Sequence, residues 1–201
     1  MEKGNRPSLP EVKFRYQRDP NFQLLVDLGI GSALSDSGYC WAACLDMALS
    51  PFVVEDKIRQ GVVLDAVRDE RLATGVFNAK GELLTGKIED FVAVINETLS
   101  TGNLSPRLTL IREPRDVDFH LELQKGRIII FGVGNKTDGH AMIMDKVYKD
   151  GGKYNYLLYD PGIEDPTKAR QHVDSFELYG RTMYLDSKLH PFIISVGQEA
   201  K

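Results

Sequence analysis

The sequence has few cysteines, no long apolar run and no strong excess of either charge. Only two of its 201 residues are cysteines, Cys40 and Cys44. No uninterrupted apolar stretch is long enough to span a bilayer, and the N-terminal segment lacks the apolar core of a secretion signal. We therefore expect no membrane span and a cytoplasmic location for the chain as given, unless a signal-independent route exports it.

The spacing of the two cysteines argues against a disulfide. Residues four apart are neighbours on a helix, where their side chains have poor geometry for a bridge. Thiols that are not bridged are typical of a reducing compartment. A zinc site is a weak alternative, since this spacing comes with no second pair of ligands. We expect neither a metal nor a cofactor.

The charge balance disfavours nucleic acid as a partner. The chain has 25 basic and 29 acidic residues, for a net charge of −4, and its dense charge runs are short and mixed, as in residues 112–116. There is no basic patch of the kind that binds nucleic acid or an anionic membrane. An apolar fraction of 42% is ordinary for a globular protein. We expect an extended N-terminal arm over residues 1–30 and one domain over residues 31–201.

The hydrophobic pattern changes near residue 107. Before it, apolar residues recur at helical spacing; after it come short β-branched and alternating runs separated by turns. The spacing predicts a helix that begins near Ser37 to Tyr39 and buries one face. The other predicted helices cover residues 51–72, 82–99 and 115–126, and the predicted strands cover 107–111, 127–134, 139–149, 153–161, 181–185 and 191–196. Helices followed by a mostly antiparallel sheet indicate the α+β class.

Three residues stand where a cysteine nucleophile system needs them. Cys40 lies at a predicted helix N-terminus, where the backbone N–H groups and the helix dipole favour a thiolate. His140 opens a strand directly after a glycine. Asp160 ends the next strand, and antiparallel pairing of the two strands would bring it toward His140.

A helix terminus alone cannot activate such a thiol. An ordinary thiol has a pKa near ~8.5, so only a few per cent is thiolate at neutral pH. The helix contributes about 0.3–1 kcal/mol, which is less than one pKa unit. A cation in contact must supply the rest. His140 is the available cation, and Asp160 would orient its ring and stabilise its charge.

The segments "GYCWAAC" (38–44), "GRIIIFGVG" (126–134), "DGHAMIMDKV" (138–147) and "YNYLLYDPG" (154–162) together resemble the papain-like cysteine peptidases. The resemblance is strongest to the compact bacterial branch with its double-glycine leader peptidases and effector proteases, and it covers roughly residues 31–186. It implies a helical half, with a central nucleophile helix, packed on the sheet. It also implies that Cys40 is the nucleophile, His140 the base and Asp160 the residue that orients the base.

The resemblance has one departure, at the oxyanion donor. The family carries a glutamine about six residues before the nucleophile, and its side chain donates to the oxyanion. That position is Leu34 here. Ser32 or Ser35 could supply a hydroxyl instead, whereas an ionised Asp36 pointing inward would repel the oxyanion.

Three functions remain open. The chain is expected to be a peptidase acting on a peptide or protein substrate through a thioester acyl-enzyme. The same triad could instead pass the acyl group to an amine or cleave an isopeptide bond, because the intermediate is shared. The third alternative, which the missing glutamine favours, is a catalytically silent papain-like domain that binds a peptide.

Overall fold

The structure is a computed structural model. It describes residues 11–24, 39–68, 88–114, 116–134, 139–150, 153–173, 175–178, 181–184 and 192–198. From residue 39 onward the described helices begin with α1 (Tyr39–Leu49), α2 (Asp56–Arg68) and α3 (Ile88–Thr101). They are followed by β1 (Pro106–Arg112), α4 (Asp116–Gln124), β2 (Ile128–Gly134), β3 (Gly139–Asp150), β4 (Lys153–Tyr159), α5 (Pro166–Ala169), β5 (Arg170–Val173), β6 (Ser175–Leu178), β7 (Arg181–Tyr184) and β8 (Phe192–Gln198).

Six of these strands form one sheet in the order β1-β8-β2-β3-β4-β5. Every neighbouring pair in it is antiparallel. Strands β6 and β7 form a separate antiparallel pair. Helices that precede an antiparallel sheet confirm the predicted α+β class.

Helix α1 is the central element of the core. All eleven of its residues are buried, whereas the sequence predicted that one face would be. The difference arises because α1 is covered on several sides at once: β3 and β2 lie against it, and so does α2. Trp41 meets Phe91 of α3 edge to face, with the ring centroids 5.4 Å apart. A helix that is apolar nearly all round is suited to such a position.

One charged residue is buried inside α1. The side chains of Asp46 and of Arg59 on α2 are each 1% exposed, and Arg59 Nε lies 3.2 Å from Asp46 Oδ1. Arg59 also donates from Nη1 to the Val53 carbonyl, at 2.7 Å. Removing one partner of a buried ion pair costs about 3–5 kcal/mol, because the other charge is left unpaired. This pair therefore ties α1 to α2.

A segment that we call the strap, residues 11–24, runs across the outside of α1. It has no regular secondary structure over residues 11–16, turns at residues 17 and 18, and is helical over residues 20–24. The Lys13 N–H donates to Ser50 Oγ at 2.8 Å, and Arg15 Nε donates to the second oxygen of Asp46 at 3.0 Å. At the other end of the strap, Phe22 is buried in the core. The strap is therefore held to α1 by hydrogen bonds as well as by apolar packing.

Some predicted boundaries differ from the structure. The helix predicted over residues 51–72 begins only at Asp56. The reason is that Arg59 takes the carbonyls of Val53 and Val54, so these residues do not continue a helix. The helix predicted over residues 82–99 is α3, and residues 82–87 lie outside the described part of the chain. Helix α5 and strands β5 and β6 were not predicted. Among the described helices, none is long and apolar enough to cross a membrane.

Gly61 is expected to limit the stability of α2. It lies within the helix, and a Cβ built there meets no atom within 4 Å. Because glycine in a helix is about 0.5–1 kcal/mol less favourable than alanine, Gly61→Ala should raise the free energy of unfolding in urea by about that amount. Gly197→Ala is the contrasting variant, since its Cβ would lie 2.5 Å from Arg127 Cγ and should destabilise the fold. Equal effects of the two changes would contradict this account.

Candidate active site

Cys40 lies at the start of the buried helix. Helix α1 begins at Tyr39, so Cys40 is in its first turn, as the sequence predicted. The first turn contains no acidic side chain. Cys40 is only 5% exposed, and neither it nor Cys44 forms a disulfide. The thiol is thus held where the helix dipole favours negative charge.

His140 and Asp160 meet at one edge of strands β3 and β4. His140 is the second residue of β3 and pairs with Val133 of β2. Asp160 directly follows β4, whose last residue, Tyr159, is paired with Ile143 of β3. This antiparallel register brings the two side chains together, with His140 Nε2 2.6 Å from Asp160 Oδ1. The predicted approach of Asp160 to His140 is therefore present in the fold.

Cys40 completes the cluster from the helical side. Its side chain is hydrogen-bonded to that of His140. Because Nε2 of the ring faces Asp160, the nitrogen left for the sulfur is Nδ1. Helix α1 packs against β3, which is how residues distant in sequence come into contact. The structure thus brings together all three side chains that the sequence singled out.

The charges of the cluster stabilise one another. Burial lowers the pKa of His140, but the hydrogen bonds to Asp160 and Cys40 and the charges of both groups raise it more strongly, from 6.5 to about 9. Burial also acts on Asp160, whose pKa it raises. The hydrogen bond and charge of His140 and the hydrogen bond from the Gly162 N–H outweigh burial, so the pKa of Asp160 lies below its ordinary value. At neutral pH, imidazolium and carboxylate are therefore the expected forms.

Cys44 lies one helical turn beyond Cys40 and differs from it in its surroundings. It has no exposed surface and belongs to the apolar core. Burial raises the pKa of its thiol well above the usual range, and the charges of Cys40 and Asp160 raise it further. We therefore expect Cys44 to be a neutral thiol at neutral pH.

The turn after β4 holds the carboxylate of Asp160. The Gly162 N–H donates to Asp160 Oδ1 at 2.7 Å, so the same oxygen accepts from His140 and from the backbone. A Cβ at residue 162 would lie 3.1 Å from Asp160 Oδ1 and 3.4 Å from His140 Cε1. Because Gly162 has no Cβ, it leaves room for the side chains of His140 and Asp160.

The strap contributes a residue near the site that the sequence did not single out. Gln17 donates its backbone N–H to the carbonyl of Pro161, at 2.9 Å. Gln17 is only 6% exposed, and its side-chain oxygen has no hydrogen-bond partner. Sequence reasoning missed Gln17 because it is far from Cys40 along the chain. The signal available in the sequence was the alternation of apolar and polar residues over positions 12–17.

The segment directly before Cys40 is not part of the described chain. Ser32, Leu34, Ser35 and Asp36, the residues considered from the sequence for or against an oxyanion site, all lie outside it. Within the part that is described, no group of three or more His, Cys, Asp or Glu side chains is placed to hold a metal ion.

The chain matches no protein-family model, and no curated protein matches it. The geometry of Cys40, His140 and Asp160 is therefore the basis on which a function can be assigned.

Replacing Asp160 with asparagine should lower the pKa of His140 from about 9 toward its ordinary value of 6.5. The carboxylate stabilises the protonated ring, so its loss favours the neutral form. In the wild type, the protonated ring of His140 stabilises the fold until the pH rises through about 9. In the variant this stabilisation should be lost at a lower pH. NMR titration of the ring measures the shift. Asp165→Asn changes a carboxylate of the same loop that binds Thr167 instead, and it should leave the titration unchanged.

Gly162→Ala should change the same titration in the same direction by a smaller amount. The new methyl group would press on Asp160 Oδ1 and on the His140 ring, so the carboxylate must move by a few tenths of an ångström. A longer bond stabilises the imidazolium less. Gly102→Ala is the control, because its Cβ makes only ordinary contacts, the nearest at 3.5 Å, and lies outside the site. An unchanged His140 pKa in Gly162→Ala would show that the hydrogen bond between His140 and Asp160 does not depend on the space at Gly162.

Proposed function

We propose that this protein is a papain-like cysteine peptidase that cleaves peptide bonds with Cys40, His140 and Asp160. One observation carries the proposal: His140 is hydrogen-bonded to Asp160, 2.6 Å away, and also to the thiol of Cys40. A nucleophile, a base in contact with it and a third group that orients the base are the usual parts of a covalent acyl-transfer site.

The first half of the proposed reaction is acylation. In the proposed resting state the protonated ring of His140 is paired with the thiolate of Cys40, and this thiolate attacks the peptide carbonyl carbon. A C–S bond forms, and the carbonyl π electrons move to the oxygen as an oxyanion. The oxyanion then collapses, the C–N bond breaks and His140 gives its proton to the departing amine. The result is a thioester between the substrate acyl group and Cys40.

The second half is hydrolysis of the thioester. His140 takes a proton from a water molecule, and the resulting hydroxide attacks the thioester carbon. When the C–S bond breaks, the acid leaves, and the thiolate of Cys40 again faces the protonated ring of His140. The proposed cycle needs no metal and no cofactor, since every proton that moves is held by His140.

Asp160 has an electrostatic role in this proposal. Its hydrogen bond keeps Nε2 of the ring occupied, so Nδ1 is directed at the sulfur. Its charge contributes to the raised pKa of His140, about 9, which keeps the proton on the ring until the amine leaves. The pair is mostly buried, with the two side chains 9% and 14% exposed, so water screens this interaction little.

The origin of the three residues also supports a papain-like arrangement. Cys40 comes from a central helix in the helical part of the chain, whereas His140 and Asp160 come from neighbouring strands of the sheet. Substrate would bind between the helical and sheet sides, with the nucleophile on one side and the base on the other.

The proposal predicts that Cys40 reacts rapidly with iodoacetamide at neutral pH. Cys44→Ala in every sample leaves one thiol. His140→Ala should lower the rate at neutral pH by about tenfold or more, because an ordinary thiol is only a few per cent ionised there. Its rate should then climb steadily with pH. His120→Ala is the matched control, since His120 lies on α4 outside the three-residue cluster, and it should react like the wild type.

Product analysis with a peptide library and an added amine then separates the reactions that share an acyl-enzyme. Hydrolysed peptides support the peptidase, whereas amine adducts in their place would identify an acyltransferase. If the Cys40 thiol reacts slowly whether or not His140 is present, the nucleophile hypothesis fails and a peptide-binding domain takes its place.

A further inference from the structure

One oxygen of Asp160 accepts two hydrogen bonds, from the ring of His140 at 2.6 Å and from the N–H of Gly162 at 2.7 Å. That N–H belongs to the peptide group between Pro161 and Gly162, whose carbonyl accepts from the Gln17 N–H at 2.9 Å. A trans peptide group is planar, and its C=O and N–H point in opposite directions. We infer that Gln17 is a positioning residue of the active site, because its backbone N–H holds this peptide group in the orientation that binds Asp160. The inference rests on the proposed function.

The turn after β4 has two ways to place this peptide group. Residues 160–163 form a β-turn in which the Ile163 N–H donates to the Asp160 carbonyl, at 3.3 Å. Pro161 and Gly162 are its central residues. Between a type I and a type II turn, ψ of the first central residue changes from about −30° to about +120°, and φ of the second from about −90° to about +80°. The two changes together turn the central peptide group over and leave the ends of the turn in place.

The residues of this turn suit both types. Aspartate at the first position favours type I, because its carboxylate can accept from the N–H two residues further on. Glycine at the third position favours type II, because that type needs a positive φ there. In the structure the φ of Gly162 lies outside the left-handed region, and its N–H donates to Asp160. The peptide group therefore has the type I orientation, although the glycine also permits the other.

The strap is built to bind the type I orientation. Its own β-turn is closed by the bond from the Asp19 N–H to the Tyr16 carbonyl, at 3.2 Å, and Gln17 is the first central residue. The N–H of that position makes no bond within a β-turn, so it is directed outward and donates to Pro161. The Asp19 carboxylate also accepts from the Phe22 N–H, at 3.0 Å, and Phe22 is buried in the core. This strap turn is thus anchored to the domain.

Turning the peptide group over would break two hydrogen bonds at once. The carbonyl of Pro161 would leave the Gln17 N–H, and the N–H of Gly162 would leave Asp160. Pro161 is buried, and a buried carbonyl without a partner destabilises the fold. The docked strap therefore favours the orientation that holds the carboxylate toward His140. The strap is not a cover that is removed for activity, since its docking aligns Asp160.

Two substitutions of the same residue separate the backbone N–H from the side chain. Gln17→Pro removes the N–H, and the fixed φ of proline suits the first central position of a β-turn. Gln17→Ala loses the same side chain and keeps the N–H, so the comparison of the two variants reports on the N–H alone. Ser50→Ala loosens the strap elsewhere, because it removes the acceptor of the Lys13 N–H.

Two NMR measurements report on Asp160 directly. The N–H of Gly162 should exchange with solvent about two- to tenfold faster in Gln17→Pro than in Gln17→Ala, the factor by which one hydrogen bond changes a population. The carboxylate loses a backbone donor that helps to lower its pKa, so the pKa of Asp160 should be higher in Gln17→Pro. The titratable groups nearby are His140 on β3 and the thiols of Cys40 and Cys44 on α1, and no sample changes them.

Turnover of p-nitrophenyl acetate connects this geometry to catalysis. The Cys40 sulfur bonds to the acetyl carbon, the bond from that carbon to nitrophenolate breaks, and water then hydrolyses the thioester to acetate. The rate of Cys40→Ala is subtracted. We expect kcat to be about two- to tenfold lower in Gln17→Pro than in Gln17→Ala, with the same KM, because Asp160 acts on the base and not on substrate binding. Ser50→Ala should unfold in less urea and keep the wild-type kcat and the wild-type exchange at Gly162.

Equal exchange at Gly162 and equal titration of Asp160 in Gln17→Pro and Gln17→Ala would overturn the inference and leave the proposed peptidase intact. The same changes in Ser50→Ala would also overturn it, since they would assign the effect to a loosened strap. If Gln17→Pro does not fold, the wild type decides: the N–H groups of Gln17 and Gly162 should have equal protection, because one event releases both, and unequal protection contradicts the inference. A wild type that shows equal protection but no turnover would overturn the proposed function, and with it the catalytic role of Gln17.

Discussion

The complete burial of α1 is the constraint on which the rest of the structure depends. A helix enclosed by the sheet, by α2 and by the strap must place Asp46, its one carboxylate, against Arg59 and Arg15. Those two contacts draw α2 and the strap onto the helix. Burying this carboxylate without partners would strongly destabilise the fold. The positions of α2 and the strap against α1 are therefore restricted. The rigid position of Cys40 at the helix start is a consequence.

The site forms where this fixed helix meets the sheet. The register of β3 and β4 sets the approach of His140 to Asp160, and the contact of α1 with β3 adds Cys40. Burial opposes the charge on both His140 and Asp160, yet their mutual attraction outweighs it for each. This balance is characteristic of a buried ion pair with good hydrogen-bond geometry, and it holds a proton on the imidazole at neutral pH.

Several elements could be predicted because their signals are local. The start of α1 is indicated by apolar residues at helical spacing that follow a sequence rich in Gly, Ser and Asp, and β2 by a run of β-branched residues. The end of α4 is set by Gly126, whose φ of 78° suits glycine. Residues 51–55, in contrast, look helical by composition. They are not helical, and the carbonyls of Val53 and Val54 accept hydrogen bonds from the side chain of Arg59 instead.

The sequence by itself determined the class of the fold and the residues Cys40, His140 and Asp160 as candidates, because periodicity and residue type report local structure and chemical capacity. It could not determine the raised pKa of His140, the space at Gly162 or the place of Gln17. Each of these depends on distances between segments far apart in the chain. Only the packing of the strap, α1 and the turn after β4 decides those distances, since hydrogen bonding and electrostatic interaction act over a few ångströms in space, whatever the separation in sequence.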